Sequence, residues 1–290
     1  MTIEKKPEQM VTRLGEFVNR VGDLRNEWMR ENHQELWYRG EARKYGSFLS
    51  PELYRARPEC PPRSMKKIQE LLTIEYELYQ AFRRGAVQLS SERHEDDNWD
   101  WDSYFLMQHH NAPTRLLDWS DGALVALHFA VRDRSHDKCD AIVYVMEPDG
   151  VKNSINSMIE TKKSEWNWKK YVDYHPDEEL SNDEWERLYL PRDFDTNFPI
   201  PSAPLLLEFP HITRRVAAQR SRFMVFGSSP AWLATKSEEP DFPMRKIVVS
   251  GSAKASLRTE LRDMGVTESV VFPDLDGLGR EMKQIWEDRR

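Results

Sequence analysis

From Met10 to Trp28, apolar residues recur at three- and four-residue intervals through Val11, Leu14, Phe17, Val18, Val21 and Leu24. That spacing predicts an amphipathic helix whose stripe must lie on something. The next run, Glu35-Leu-Trp-Tyr-Arg-Gly40, is short, aromatic and ends in glycine, as expected of a strand entering a tight passage. Four prolines between Ser50 and Arg63 predict an irregular surface connection. Helical spacing returns from Met65 to Leu89, where Ile68, Leu71, Leu72, Leu78, Tyr79 and Phe82 share a face into which Glu75 intrudes. The acidic, Trp-containing stretch Glu92 to Asp102 then leads into a short helix through Tyr104, Phe105 and Met107.

The crowded polar segment Gln108 to Ser120 reads as a turn, followed by a buried helix over Gly122 to Val131 that Ser120 or Asp121 would cap. Ala141 to Met146 is a continuous apolar run and predicts a central strand. Residues 150–204 are rich in Asn, Asp, Trp and Pro and predict an irregular helical cap, an insertion or lid with one helix from Glu178 to Tyr189. Further strands are expected at Leu205 to Phe209, Phe223 to Phe226, Lys246 to Val249 and Val270 to Phe272. Helices are expected from Ser252 to Met264 and from Leu275 to Trp286. The sum is an α/β chain of the α+β type: a mixed central sheet of five or more strands flanked by helices.

At 290 residues the chain is long for one domain, yet mixed sheets of this size are built as single units. An apolar fraction of 39%, carried by 10 Trp, 12 Phe and 10 Tyr, predicts an aromatic core under a polar surface. Lys plus Arg number 42 against 49 Asp plus Glu, a net charge of -7, which argues against a surface built to neutralise phosphates and leaves room for a local basic groove. Cys60 and Cys139 alone make neither a disulfide framework nor a cysteine zinc site, and point to the reducing cytoplasm. No apolar run approaches the ~20 residues that cross a bilayer, and no secretory signal opens the chain, so no membrane partner is expected. A Gly-rich dinucleotide fingerprint is missing too, so hydride transfer is not suggested.

Three clusters carry candidate chemistry. In Gln108-His-His-Asn-Ala-Pro-Thr-Arg-Leu-Leu-Asp-Trp-Ser120 the polar side chains could serve only a turn, with Asn111 in a left-handed conformation, Thr114 and Asp118 bonding nearby amides and Arg115 paired with Asp118. Alternatively His109 or His110 faces a cleft as acid, base or ligand-positioning donor, since imidazole titrates near neutrality. Adjacent histidines with Asp118 and Asp121 fit no familiar ligand spacing, and no metal is expected. Arg39 before Gly40 can present a guanidinium fork to phosphate or carboxylate while the bare backbone lets a planar ligand approach; the alternative is an ion pair with Glu75 or Asp118. The third cluster, Arg214 to Arg222, holds four Arg in nine residues and is either a phosphate-binding face or a solvated basic loop, with Gln219 at the entrance of a strand.

Taken in order, Trp37-Tyr-Arg-Gly40, Leu49-Ser-Pro-Glu-Leu-Tyr-Arg55, Gln108 to Trp119 with Ala123 to Val131, Arg215-Val-Ala-Ala-Gln219 and Val271-Phe-Pro-Asp-Leu-Asp-Gly277 resemble the FRG domain, a bacterial and phage family named for its aromatic-Arg-Gly motif. The resemblance implies one such domain over residues 33–290, with 150–204 inserted and the helix of residues 1–32 packed upon it. Asn111 stands where the family has Gly, a substitution that left-handed geometry tolerates. Ser221 and Arg222 replace a Gly-containing stretch.

The chain is also distantly similar to ADP-ribosyltransferase folds, in which an aromatic-Arg-Gly strand holds the dinucleotide and a late carboxylate contacts the nicotinamide ribose. That likeness implies NAD or another nucleotide as ligand, and a transferase-like effector in conflict between bacteria and phage. Tyr38, Arg39 and Gly40 would then contact phosphate or ribose. Gln108, Thr114, Arg115 and Trp119 would contribute from the middle motif, with Asp118 fixing Arg115. Gln219, Arg220 and Arg222 would reach the ligand from the late one. His109 or His110 would orient it, and because Gln219 occupies the place of the late carboxylate, stabilisation of an oxocarbenium-like transition state would fall to Glu75 or Asp118. Two non-catalytic readings stand beside this one: a nucleic-acid or nucleotide sensing module using the Arg214 to Arg222 face in phage defence, and a protein-interaction domain.

Overall fold

Every residue of Ala141–Met146 is buried, which is what a continuous apolar run becomes when a strand is covered on both faces. A computed structural model describes residues 10–28, 35–44, 46–55, 65–89, 99–163, 188–191, 200–207 and 214–289 and places this strand inside a seven-stranded mixed sheet. In chain order the strands and helices are β1 (Met10–Val11), α1 (Leu14–Trp28), β2 (Trp37–Glu41), a 3-10 turn at Glu52–Arg55, α2 (Met65–Leu89), α3 (Trp99–His109), β3 (Leu116–Ser120), α4 (Ala123–Val131), β4 (Ala141–Met146), α5 (Pro148–Lys163), β5 (Leu205–Leu207), α6 (Arg214–Ala218), β6 (Ser221–Val225), α7 (Trp232–Lys236), β7 (Met244–Val249), α8 (Lys254–Asp263), α9 (Glu268–Val271) and α10 (Leu275–Asp288). The strands lie in the order β1-β7-β4-β2-β3-β6-β5, antiparallel except for the parallel pair β1 and β7.

Period-two alternation sends neighbouring side chains to opposite layers. Trp37, Trp119, Tyr144 and Met224 pack with the 3-10 turn, α5 and α7. Tyr38, Val143, Val145 and Ile247 pack with α1, α4 and α8. A third cluster joins α2 and α3 to β3, β5 and β6 through Tyr104, Phe105, Leu116 and Phe223. The sheet is continuous but unevenly joined. β2 and β4 are in register from Trp37↔Met146 to Glu41↔Ile142, and β3 and β6 from Leu116↔Val225 to Ser120↔Ser221, whereas β2 meets β3 at the single pair Tyr38↔Ser120. Beyond that pair a side chain takes over from the ladder, as Arg39 Nη1 donates to the Asp118 carbonyl at 2.7 Å.

Several sequence expectations are corrected. Met10 and Val11 pair with Val248 and Val249, so the first helix begins at Leu14, where Glu16 accepts from the Thr12 and Arg13 amides. The Gln108 to Ser120 segment is a turn only in its first half, held by Asn111 at φ 59°; Leu116–Ser120 is a strand. α4 has Gly122 as its N-cap without a side-chain cap; Ser120 Oγ instead accepts from the Gly122 amide and donates to the Gln219 carbonyl. Within the supposed irregular lid, Pro148–Lys163 is a helix. Of the predicted helix Glu178 to Tyr189, only Leu188 and Tyr189 fall among the described residues, in a turn. Val270 to Phe272 is no strand, because Glu268–Val271 forms a helical turn against α10. Among the described residues no helix is long and apolar enough to cross a membrane.

Candidate functional site

Where β2 and β3 part, a cleft of about 320 Å³ opens. β2 lines it with Tyr38, Arg39 and Gly40, and β3 with Asp118, Trp119 and Ser120; α3 adds Phe105, Gln108 and His109. The 3-10 turn brings Glu52 and Arg55, and α4 brings Phe129 and Arg132. Arg215, Gln219, Phe223 and Phe272 close it from the later part of the chain.

Arg39 is the strut of this opening. Its Nε pairs with Glu41 Oε1 at 3.1 Å while Nη1 holds the Asp118 carbonyl, so two of its donors are committed to the protein. Gly40 has a packing task besides its place in the lining. A Cβ there would run into the carbonyl of Ala126, so the glycine exists to let α4 lie against β2.

Among the described residues, three that line the cleft each carry a buried donor without an acceptor: Arg55 Nε, Trp119 Nε1 and Gln219 Nε2. Burying a donor unpaired costs about 1–3 kcal/mol, so three such residues around one cavity are a cost that the fold alone leaves uncompensated. Burial lowers the pKa of Arg55, and the neighbouring Arg39 lowers it further, yet a guanidinium stays charged at any physiological pH.

At the C-terminal end of α3 a short relay sets the Asp118 carboxylate. The Thr114 hydroxyl donates to Gln108 Oε1, which orients the amide so that Nε2 donates to Asp118 Oδ2 at 2.9 Å. Thr114 is fully buried and acts through Gln108. His109 lines the cleft with a pKa lowered to about 4, first by burial and then by the charges of Arg215 and His110. It is therefore neutral at pH 7 and offers a hydrogen bond rather than a titrating group, contrary to the near-neutral titration expected of it. His110 is exposed and stands edge-on to His109, outside the cleft lining.

Four further candidates lie elsewhere. Arg115 is not fixed by Asp118: it is fully buried, with Nε 2.5 Å from Glu75 Oε2, Nη1 on the Phe226 carbonyl and Nη2 on the Tyr189 carbonyl. Glu75 also accepts from the Tyr104 hydroxyl and the Arg115 amide, so its carboxylate is committed to the fold and cannot stabilise a reacting group in the cleft. Arg220 pairs with Asp121, and Arg222 with Asp121 and Glu35, outside the lining. The basic face thus divides into an inward Arg215 and outward ion pairs; the Arg214 side chain lies outside the described residues.

Sequence reasoning passed over Arg55, Arg132 and Phe272 as ligand contacts and offered Arg215 only as part of the Arg214 to Arg222 face. Arg55 and Arg215 stand within motifs already singled out, and Phe272 sits in the Val271 to Gly277 motif. What the sequence lacked was the turn that points each of them inward.

The family model of the FRG domain matches residues 34–139, a span that holds both the Trp37 to Gly40 strand and the whole Gln108 to Trp119 segment. Residues 34–139 are similar to the FRG domain. The match covers the larger part of the cleft, built from β2, the 3-10 turn, α3, β3 and α4; Arg215, Gln219, Ser221, Phe223 and Phe272 lie beyond it. No curated protein and no solved structure matches the chain.

Proposed function

We propose that the cleft of this FRG domain binds a nucleotide, with NAD as the first ligand to test. The observation that carries the reading is the set of three unpaired buried donors, Arg55 Nε, Trp119 Nε1 and Gln219 Nε2, on one cavity. Ribose hydroxyls and phosphoryl oxygens are the acceptors such donors lack, and the rings of Tyr38, Phe105, Phe129 and Phe223 offer apolar surface for a base. The cavity volume is at the lower end of the ~300–1,000 Å³ typical of small-molecule sites.

Within this reading Asp118 is the carboxylate placed to act on a bound ligand. It lines the cleft and is oriented by Gln108, where it would stabilise positive charge developing at a ribose C1 as the bond to nicotinamide breaks. That supports glycosidic-bond chemistry on NAD, and with it the transferase-like effector role. The nucleic-acid sensing role has less support, because Arg220 and Arg222 are held by acidic partners and Arg215 faces the cleft.

Calorimetric titration with NAD, followed by chromatography for free nicotinamide, tests both parts. Binding should weaken about fivefold in Trp119→Phe, which removes the indole donor and leaves a smaller aromatic ring. Nicotinamide release should be lost in Asp118→Asn with binding retained. A wild-type protein that takes no NAD at millimolar concentration would overturn the NAD assignment.

A further inference from the structure

One end of the cleft is built around a single ring. Phe272 is 3% exposed, and the guanidinium carbons of Arg132, Arg215 and Arg280 lie 4.5, 4.7 and 4.9 Å from its centroid. A phenyl face attracts one cation well, but gathering three brings like charges together and requires counter-charge. Glu268, 1% exposed, supplies part of it. Its carboxylate binds Arg132 through Nε at 3.1 Å and through Nη2, Arg280 through Nε at 2.8 Å, and His128 Nε2 at 3.1 Å. Asp274 is turned to a different task, accepting from the Gly277 amide at 2.6 Å to cap α10.

Arg215 is left over. It makes no ion pair with a carboxylate among the described residues, and its one polar contact is a long one, 3.5 Å from Nη1 to the His109 carbonyl. Burial lowers its pKa, Asp274 and Asp118 counter that, and Arg280 and Arg132 add to the lowering, so the site strains against its own positive charge. Both Arg215 and Arg132 line the cleft, and Arg132 Nη1 makes no hydrogen bond among the described residues.

We propose that Arg215 and Arg132, seated on Phe272 and braced by Glu268, form an anion subsite that takes a phosphoryl group. This moves the phosphate away from Arg39, two of whose donors are held by Glu41 and Asp118. The inference rests on the nucleotide reading only for what carries the phosphate; the charge arrangement calls for an anion whatever its bearer. Two guanidiniums on a shared aromatic support can offer a forked pair of donors that a phosphoryl group accepts in bidentate fashion.

The test uses the full chain and inorganic pyrophosphate, titrated by calorimetry at low salt. Wild type should bind, and Arg215→Gln should weaken binding at least about tenfold, as expected for loss of charge-assisted bonds. Arg220→Gln removes the same charge five residues later, from a side chain held outside the cleft by Asp121, and should stay within about twofold of wild type. If Arg215→Gln fails to fold, Arg215→Lys keeps the charge without the fork and should still bind at least about threefold more weakly than wild type. Equal effects of the Arg215 and Arg220 substitutions, or no pyrophosphate binding by wild type at low millimolar concentration, would overturn the subsite. NAD binding untouched by Arg215→Gln removes this subsite and leaves the nucleotide reading standing. Arg215-dependent pyrophosphate binding without NAD binding does the reverse.

Discussion

At pH 7 the His109 imidazole carries no charge, because burial and the nearby Arg215 and His110 hold its pKa down at about 4. The ordinary value is 6.5, so between the two the unfolded chain binds a proton that the folded chain does not. The stability this group contributes is therefore complete above pH 6.5 and is lost as the pH falls from 6.5 towards 4. An anion at Arg215 would cancel the repulsion that disfavours the imidazolium. We expect the His109 ring resonances to titrate at higher pH in saturating pyrophosphate than in its absence, read by NMR; an unmoved midpoint would mean that the anion sits away from His109. The same residue shows what a sequence hides. Two adjacent histidines are visible at once, but that one lines a cationic cleft while the other faces solvent depends on where α3 stops and where Arg215 arrives 106 residues later.

Among the elements, β2 and α4 are the pair on which the cleft is built. Gly40 lets them touch, since any Cβ would meet the Ala126 carbonyl and the Ala130 amide. Gly40→Ala should cost about 3 kcal/mol in denaturant unfolding, because backbone rather than a flexible side chain has to move. Gly22 in α1 has open space around it, and Gly22→Ala should instead stabilise by roughly 0.5–1 kcal/mol. α4 and β4 were legible because each is a nearly unbroken apolar run, and β2 because its aromatic pair runs into a glycine. β3 was not: Asp118 is exposed on the cleft side, and its polar neighbours made a strand look like a turn. Phe272 misled in the opposite sense, since it is buried by α10 and by arginines rather than by a neighbouring strand, while Val270 stays exposed. The pairing of Arg115 with Glu75 escaped because the partners lie 40 residues apart and the nearer Asp118 offered a plausible alternative.

For the whole molecule, Arg115 is a staple. From the start of β3 it reaches Glu75 on α2, the carbonyl that follows β6 and the turn at Tyr189, and its own carbonyl accepts from the Phe226 amide. Burial alone would lower the Arg115 pKa, but Glu75 leads the groups that raise it above the ordinary guanidinium value, so the cation persists in the core. Glu75→Gln would leave that cation without its counter-charge and should lower unfolding stability by about 3–5 kcal/mol. A midpoint in urea equal to that of wild type would show that the staple is dispensable. The placing of the walls has a further consequence for how the protein is born. One flank of the cleft is encoded by residue 132, while Arg215, Gln219 and Phe272 follow much later, and β2 must wait for Met146 and its neighbours before it has a strand on its other side. A growing chain therefore carries an unfinished cleft from residue 132 until Phe272 has emerged and docked.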